Sequence, residues 1–290
     1  MNYLAITHPL NGILILCIGI GVGIFITHHY KMGWRIWWIG AFAFIISQVL
    51  HIPFNSICLN PFAAKLMDSL PEAWHLPLIS VLLGLSAGLF EEITRYGVYR
   101  WWVKDARTWS QGLLLGAGHG GFEAIVIGVL SLYTYAQIVA LRGVDLATIV
   151  PVEQLTLAEQ QIEIYWSMPW YDSLMGALER VFTLPLHLAA SLLVLQAIIR
   201  KRFYWVWLAI GLHTLVNAIG VYLSETHGIY VAEFSIGILA ILDLSIIFLL
   251  RRSTPIAPVQ QSFINQAPLQ LKPIQELPET TENLEQTRYQ

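Results

Sequence analysis

The stretch HLPLISVLLGLSAGLFEEITRYGVYRWW, residues 75–102, joins an apolar run of membrane-crossing length to two adjacent glutamates and an arginine, and ends in Arg100 between aromatic residues. A helix rises about 1.5 Å per residue, so roughly 20 mostly apolar residues cross the hydrocarbon layer of a bilayer. Six further runs of this kind flank it, and the seven candidate spans are 10–28, 34–52, 76–99, 111–136, 176–199, 203–223 and 231–250. The composition agrees: 56 % of the 290 residues are hydrophobic and 12 % charged, with a mean hydropathy of +0.60. Soluble domains carry about 25 % charged residues, so a soluble enzyme, a nucleic-acid binder and a disordered chain are all excluded. The expected fold is an all-α polytopic membrane protein of about seven transmembrane helices, with a polar catalytic cavity between spans 3 to 6.

The residues before the first run, MNYLAITHPL, contain no Lys or Arg, and the run is longer than a signal-peptide core, so it reads as a retained span. Basic residues concentrate in alternate connections: Lys31 and Arg35, then Arg100, Lys104 and Arg107, then Arg200, Lys201 and Arg202, then Arg251 and Arg252. The other connections hold Lys65 and Arg142. Basic loops stay in the cytoplasm, which places the N-terminus outside and the C-terminus inside, in the plasma membrane. Trp34, Trp37, Trp38, Trp101, Trp102, Trp109, Trp205 and Trp207 lie beside the basic clusters, as headgroup-level anchors do. Cys17 and Cys58 suggest no disulfide framework.

The transmembrane domain is thus expected over residues 1–252, with its polar core at 80–220. An outer loop at 141–174 places Leu155, Ala158, Ile162 and Tyr165 at helical spacing among acids, the pattern of a short amphipathic helix. Residues 253–290, rich in Pro, Gln, Glu and Thr, read as a disordered cytoplasmic tail.

Ionisable side chains at membrane depth cost at least about 2.5–3.5 kcal/mol each on insertion scales and normally face the protein interior. Here they gather in four consecutive spans: Glu91, Glu92 and Arg95 in the third, His119 and Glu123 in the fourth, Glu179, Arg180, His187 and Ser191 in the fifth, His213 and Asn217 in the sixth. Spans one and two are read as carrying essentially none. Residues four apart share a helix face, so Glu91 is expected above Arg95, His119 above Glu123, His187 above Ser191 and His213 above Asn217. Taken singly, each element has an ordinary structural reading: an ion pair that fixes packing, an interhelical histidine, small residues at a helix interface. Asp243 in the seventh span reads as a packing residue. Two adjacent carboxylates, three histidines and an asparagine in adjacent spans together favour function.

Peptide hydrolysis within a membrane needs an activated water, a base for its proton and donors for the oxyanion. A carboxylate of the Glu91/Glu92 pair suits the base, neutral histidine can hold the water or a metal, and Asn with a histidine N–H can donate to the oxyanion. No Ser or Cys stands in a nucleophile context, Ser191 included. Glu91 lies near the basic end marked by Arg100, so the cavity is expected to open toward the cytoplasmic half.

The order Glu91-Glu92-x-x-Arg95, then His119 among glycines, then His213-x-x-x-Asn217 resembles the intramembrane CAAX-protease and bacteriocin-processing (CPBP) superfamily, whose pattern is EExxxR, FxxxH and HxxxN. Arg95 comes one residue early and Leu115 stands where that pattern has Phe. The added Gly118-His119-Gly120-Gly121-x-Glu123 and Glu179-Arg180 elements are similar to the YhfC-type membrane peptidases. The resemblance implies an intramembrane endopeptidase with Glu91 as general base, His119 as its partner in holding the water, and His213 with Asn217 as oxyanion donors. Glu92, Arg95, Glu123, Glu179, Arg180 and His187 would support them. Whether a metal takes part is open in this family: His119, His187 and His213 are the candidate zinc ligands, and an arrangement without an obligatory metal is preferred. The expected partners are a peptide or membrane-protein substrate and the lipid bilayer, with no nucleic acid. The alternatives are a membrane transporter or ion- and proton-binding protein, built from the same kind of acid and histidine network, or a non-catalytic scaffold of the same fold.

Overall fold

The computed structural model describes residues 3–253; residues 254–290, on which the expectation of a disordered tail falls, lie outside the described part. The described chain is helical, in the order α1 (Leu4–His29), α2 (Arg35–Phe54), α3 (Asn60–Met67), α4 (His75–Gly97), α5 (Trp109–Ala140), α6 (Val152–Ser167), α7 (Met175–Ile199), α8 (Tyr204–His227) and α9 (Ile229–Ser253). Seven of the described helical segments are long and apolar enough to cross a membrane, and they coincide with the seven runs read from the sequence. The second is longer than expected. The chain does not stop near Pro53 but continues through a π-helical turn, Asn55–Leu59, into α3. A single missing backbone donor is tolerated in a membrane helix, and this extension places Gln48, His51 and Asn55 within one helical face.

Helix α5 lies at the centre, packed by α1, α2 and α7, while α4 packs on α8 and α2, and α9 covers α7 and α8. Its start is set by a capping box: Thr108 accepts from the backbone N–H of Gln111, and the Gln111 side chain accepts from the Thr108 N–H at 3.0 Å. Its interfaces are set by missing side chains. A Cβ at Gly118 would stand 2.0 Å from the Trp37 carbonyl oxygen of α2, and one at Gly120 would stand 2.6 Å from the His187 ring of α7. Without a hydrophobic drive between helices in lipid, such backbone approach supplies the packing. It also carries His119 and His187 into contact, their rings 5.4 Å apart. Gly88 does the same for α4 and α8, where a Cβ would meet the Ile210 carbonyl at 2.9 Å, and so His213 reaches the glutamates of α4.

Phe25, Phe42, Val49, Phe234, Ile241 and Leu249 point outward from α1, α2 and α9 with large exposure, as lipid-facing residues do. The helix expected in the 141–174 loop is present as α6, which buries none of its own residues and is tethered by His8 of α1, stacked 3.7 Å from the Tyr165 ring.

Candidate functional site

Adjacent residues on a helix diverge by about 100°, so Glu91 and Glu92 meet different partners. Glu91 turns toward α5, α7 and α2. Its Oε2 stands 3.0 Å from His119 Nε2, 3.9 Å from His187 Nδ1 and 3.8 Å from His213 Nε2, so three imidazoles from three helices face one carboxylate oxygen. Its Oε1 accepts a hydrogen bond from Gln48 Nε2 at 3.0 Å. Glu92 turns to α8: its Oε1 lies 2.9 Å from His213 Nδ1, and its other oxygen is bonded by Arg95. Arg95 is therefore the partner of Glu92, three residues before it, and not of Glu91 as the four-residue spacing implied. Glu92, Arg95 and His119 have no exposed surface at all.

A second set of carboxylates stands behind His187. Its Nε2 is 2.8 Å from Glu123 Oε2, and Arg180 bridges Glu123, at 2.8 Å, to Glu179. Glu123 thus serves His187 across the helix interface, whereas sequence spacing stacked it under His119. The opposite ring nitrogen, Nδ1, is buried without a hydrogen-bond partner, 3.9 Å from Glu91 Oε2. Ser191, one turn further along α7, bonds Tyr99 at 2.8 Å and donates to the Gly112 carbonyl, which leaves it a packing hydroxyl with no place in the site.

Asn217, one turn along α8 from His213, lines a cavity of about 430 Å³ that is also walled by Glu91, Glu123, Glu179, Arg180, His187, His213 and Glu233. The cavity opens opposite to the expected direction. From the site its lining runs along α4 from Glu91 back to Leu83, along α7 from His187 back to Glu179, and along α8 from His213 on to Ser224, away from every basic loop. The other side is plugged, because Tyr99, Leu114, Leu192 and Leu195 are fully buried there. Closeness to Arg100 along the chain says nothing about which side of the site is packed shut.

Every sequence-predicted site residue therefore falls in or beside one polar interior: Glu91, Glu92, Arg95, His119, Glu123, Glu179, Arg180, His187 and His213 as a connected network, Asn217 on the cavity wall. The residues missed are Gln48 and His51 of α2, Asn55 of the π-helical turn that continues it, Ser86 of α4 and Glu233 of α9. Span two is not devoid of polar groups, and His51-x-x-x-Asn55 repeats the spacing of His213-x-x-x-Asn217. Glu233 is buried with its Oε2 unpartnered, as are both oxygens of Asp243 deeper in α9.

A zinc-class cation fits this chemistry. Among the described residues, Glu91, His119 and His187 bring one donor atom each within 4.8 Å of one another, and Glu91, Glu92 and His213 do likewise. The three histidines proposed as a set from sequence face the same Glu91 oxygen, with the His187 and His213 rings 5.6 Å apart, but each of the two groups that meet this distance includes Glu91. Donors sharing one zinc ion at about 2.0–2.1 Å stand on the order of 3–4 Å apart, close to the 3.0 and 3.9 Å separations of His119 and His187 from Glu91. A carboxylate behind a ligating imidazole is the usual outer support of a metal centre, and Glu123 supplies it to His187.

Residues 13–239 match the family model described as YhfC intramembrane metalloprotease. The chain is 30 % identical over 214 residues to the Bacillus subtilis (strain 168) protein named "Uncharacterized membrane protein YhfC", covering 72 % of this chain and 80 % of that one. No solved structure matches the chain.

Proposed function

The chain belongs to the YhfC intramembrane metalloprotease family, and on that premise we propose that it hydrolyses peptide bonds of membrane-embedded substrates with a water activated at Glu91. The observation that carries this is the convergence of His119, His187 and His213 on Glu91 Oε2 beside an open cavity. Glu91, His119 and His187 would hold the divalent cation, and the earlier preference for a metal-free site yields to the unpartnered His187 nitrogen aimed at that oxygen. When bound, such an ion polarises water and makes it acidic at neutral pH.

The remaining steps fall to the chain's own groups. As the water oxygen bonds to the scissile carbonyl carbon, its proton passes to the Glu91 carboxylate. Asn217, and His213 when protonated between Glu91 and Glu92, donate to the oxygen on which negative charge develops. The C–N bond then breaks as the proton moves from Glu91 to the leaving nitrogen, which returns Glu91 to its ionised form. Glu92 with Arg95 and Glu123 with Arg180 keep the two histidines oriented. Purified wild type is expected to carry about one zinc per chain by elemental analysis, and His187→Ala to lose it. Cleavage that survives complete chelation would overturn the metal-dependent reading.

With basic loops in the cytoplasm, the cavity faces outward and substrate enters from that side. In a background with Cys17 and Cys58 replaced, Ser224→Cys, on the cavity wall, is expected to react with a membrane-impermeant maleimide in intact cells. Labelling confined to permeabilised cells would reverse the orientation.

A further inference from the structure

We propose that Gln48 of α2 is a positioning residue for Glu91, holding Oε1 so that Oε2 alone faces the imidazoles, and that His51, Asn55 and Ser86 hold Gln48 in that pose. The inference rests on the reading of Glu91 as a donor to the bound cation.

A carboxylate bonded through one oxygen only can swing about its last torsion and present either oxygen. Here Oε1 is taken by Gln48 Nε2 at 3.0 Å, which leaves Oε2 to the site. The amide is itself fixed from behind. Gln48 Oε1 lies 3.4 Å from His51 Nδ1, the His51 Nε2 lies 2.9 Å from Asn55 Nδ2, and Ser86 donates to Asn55 Oδ1 at 2.9 Å. The order admits one sense. The Glu91 carboxylate can only accept, so a Gln48 N–H faces it and the Gln48 oxygen faces His51; the His51 proton then sits on Nδ1, and Nε2 is left as an acceptor with Asn55 Nδ2 and Ser86 Oγ each 2.9 Å away. Each donor in the chain then points toward that carboxylate. A flipped amide would set the Gln48 oxygen against the Glu91 oxygen and two N–H groups against the His51 N–H. The chain is polar throughout at membrane depth, and each of its members is matched.

Outer partners of this kind typically govern metal affinity by about 10- to 100-fold. The test is a titration of the purified, metal-stripped full chain with Co(II), read by its visible ligand-field spectrum, with the melting temperature of the metal-free form measured alongside. Gln48→Met, which keeps length and volume without a donor, is expected to weaken Co(II) binding about 10- to 100-fold and to alter the spectrum, with little change in melting temperature. His51→Phe, which touches neither Glu91 nor the histidines of the site, is expected to weaken binding in the same direction by a smaller factor, and it carries the test if Gln48→Met does not fold. Wild-type affinity and spectrum in a folded variant of either kind, or a lowered melting temperature with unchanged affinity, would overturn the positioning role while leaving the metal reading intact. Failure of the wild type to bind Co(II) would overturn both.

Discussion

Glu91→Gln is expected to abolish peptide cleavage, by at least about 100- to 10,000-fold, while the protein stays folded in the membrane. Gln keeps the shape of the side chain and an oxygen for the Gln48 bond, but it cannot accept the proton of water or carry the charge that faces three imidazoles. The stability cost should be small for a specific reason: the buried arginine of this region is neutralised by Glu92, so removing the Glu91 charge strands no cation. Turnover of a cleaved peptide measured alongside the melting temperature in detergent separates the two effects. Turnover like the wild type in this variant would refute the assignment.

Arg95→Met should do the reverse, with its primary effect on folding. Arg95 and Glu92 are both without exposed surface and bonded to each other, and removing one member of a buried pair leaves an uncompensated charge, a cost of about 3–5 kcal/mol. Activity would fall secondarily, because Glu92 also orients His213 through Nδ1. Denaturation by heat or by SDS in mixed micelles measures it, and a loss below about 1 kcal/mol would show that Glu92 does not depend on Arg95 for its counter-charge.

The spans and the polar helices were legible because bilayer thickness and the cost of buried charge act on single helices, and both leave a mark along the chain. Partner choice acts between helices, and there the chain gives less. Spacing set Glu91 over Arg95 and His119 over Glu123, yet a helix face is broad enough that Arg95 took Glu92 and Glu123 took His187. The pairing of Glu123 with His187, and of Glu92 with His213, follows from the close approach at Gly120 and Gly88, whose effect depends on which neighbour arrives. Gln48 and His51 lie inside the expected span 34–52, but single polar residues without a charged neighbour leave little mark on it, and Asn55, which completes their face, lies beyond its expected end. The direction of the cavity is hidden from the chain for a similar reason: the distance from Glu91 to Arg100 is a one-dimensional measure, and the plug of Tyr99, Leu114, Leu192 and Leu195 comes from three separate segments.

The most direct test of the account is hydrolysis itself. Wild type and Glu91→Gln, each reconstituted in vesicles with zinc supplied, are incubated with a library of membrane-spanning peptides in ¹⁸O-labelled water, and the products are read by mass spectrometry while ion flux across the vesicles is recorded. New C-termini carrying one ¹⁸O atom are expected with the wild type and none with Glu91→Gln. Folded, zinc-loaded wild type that yields no new termini but conducts ions or protons would contradict it.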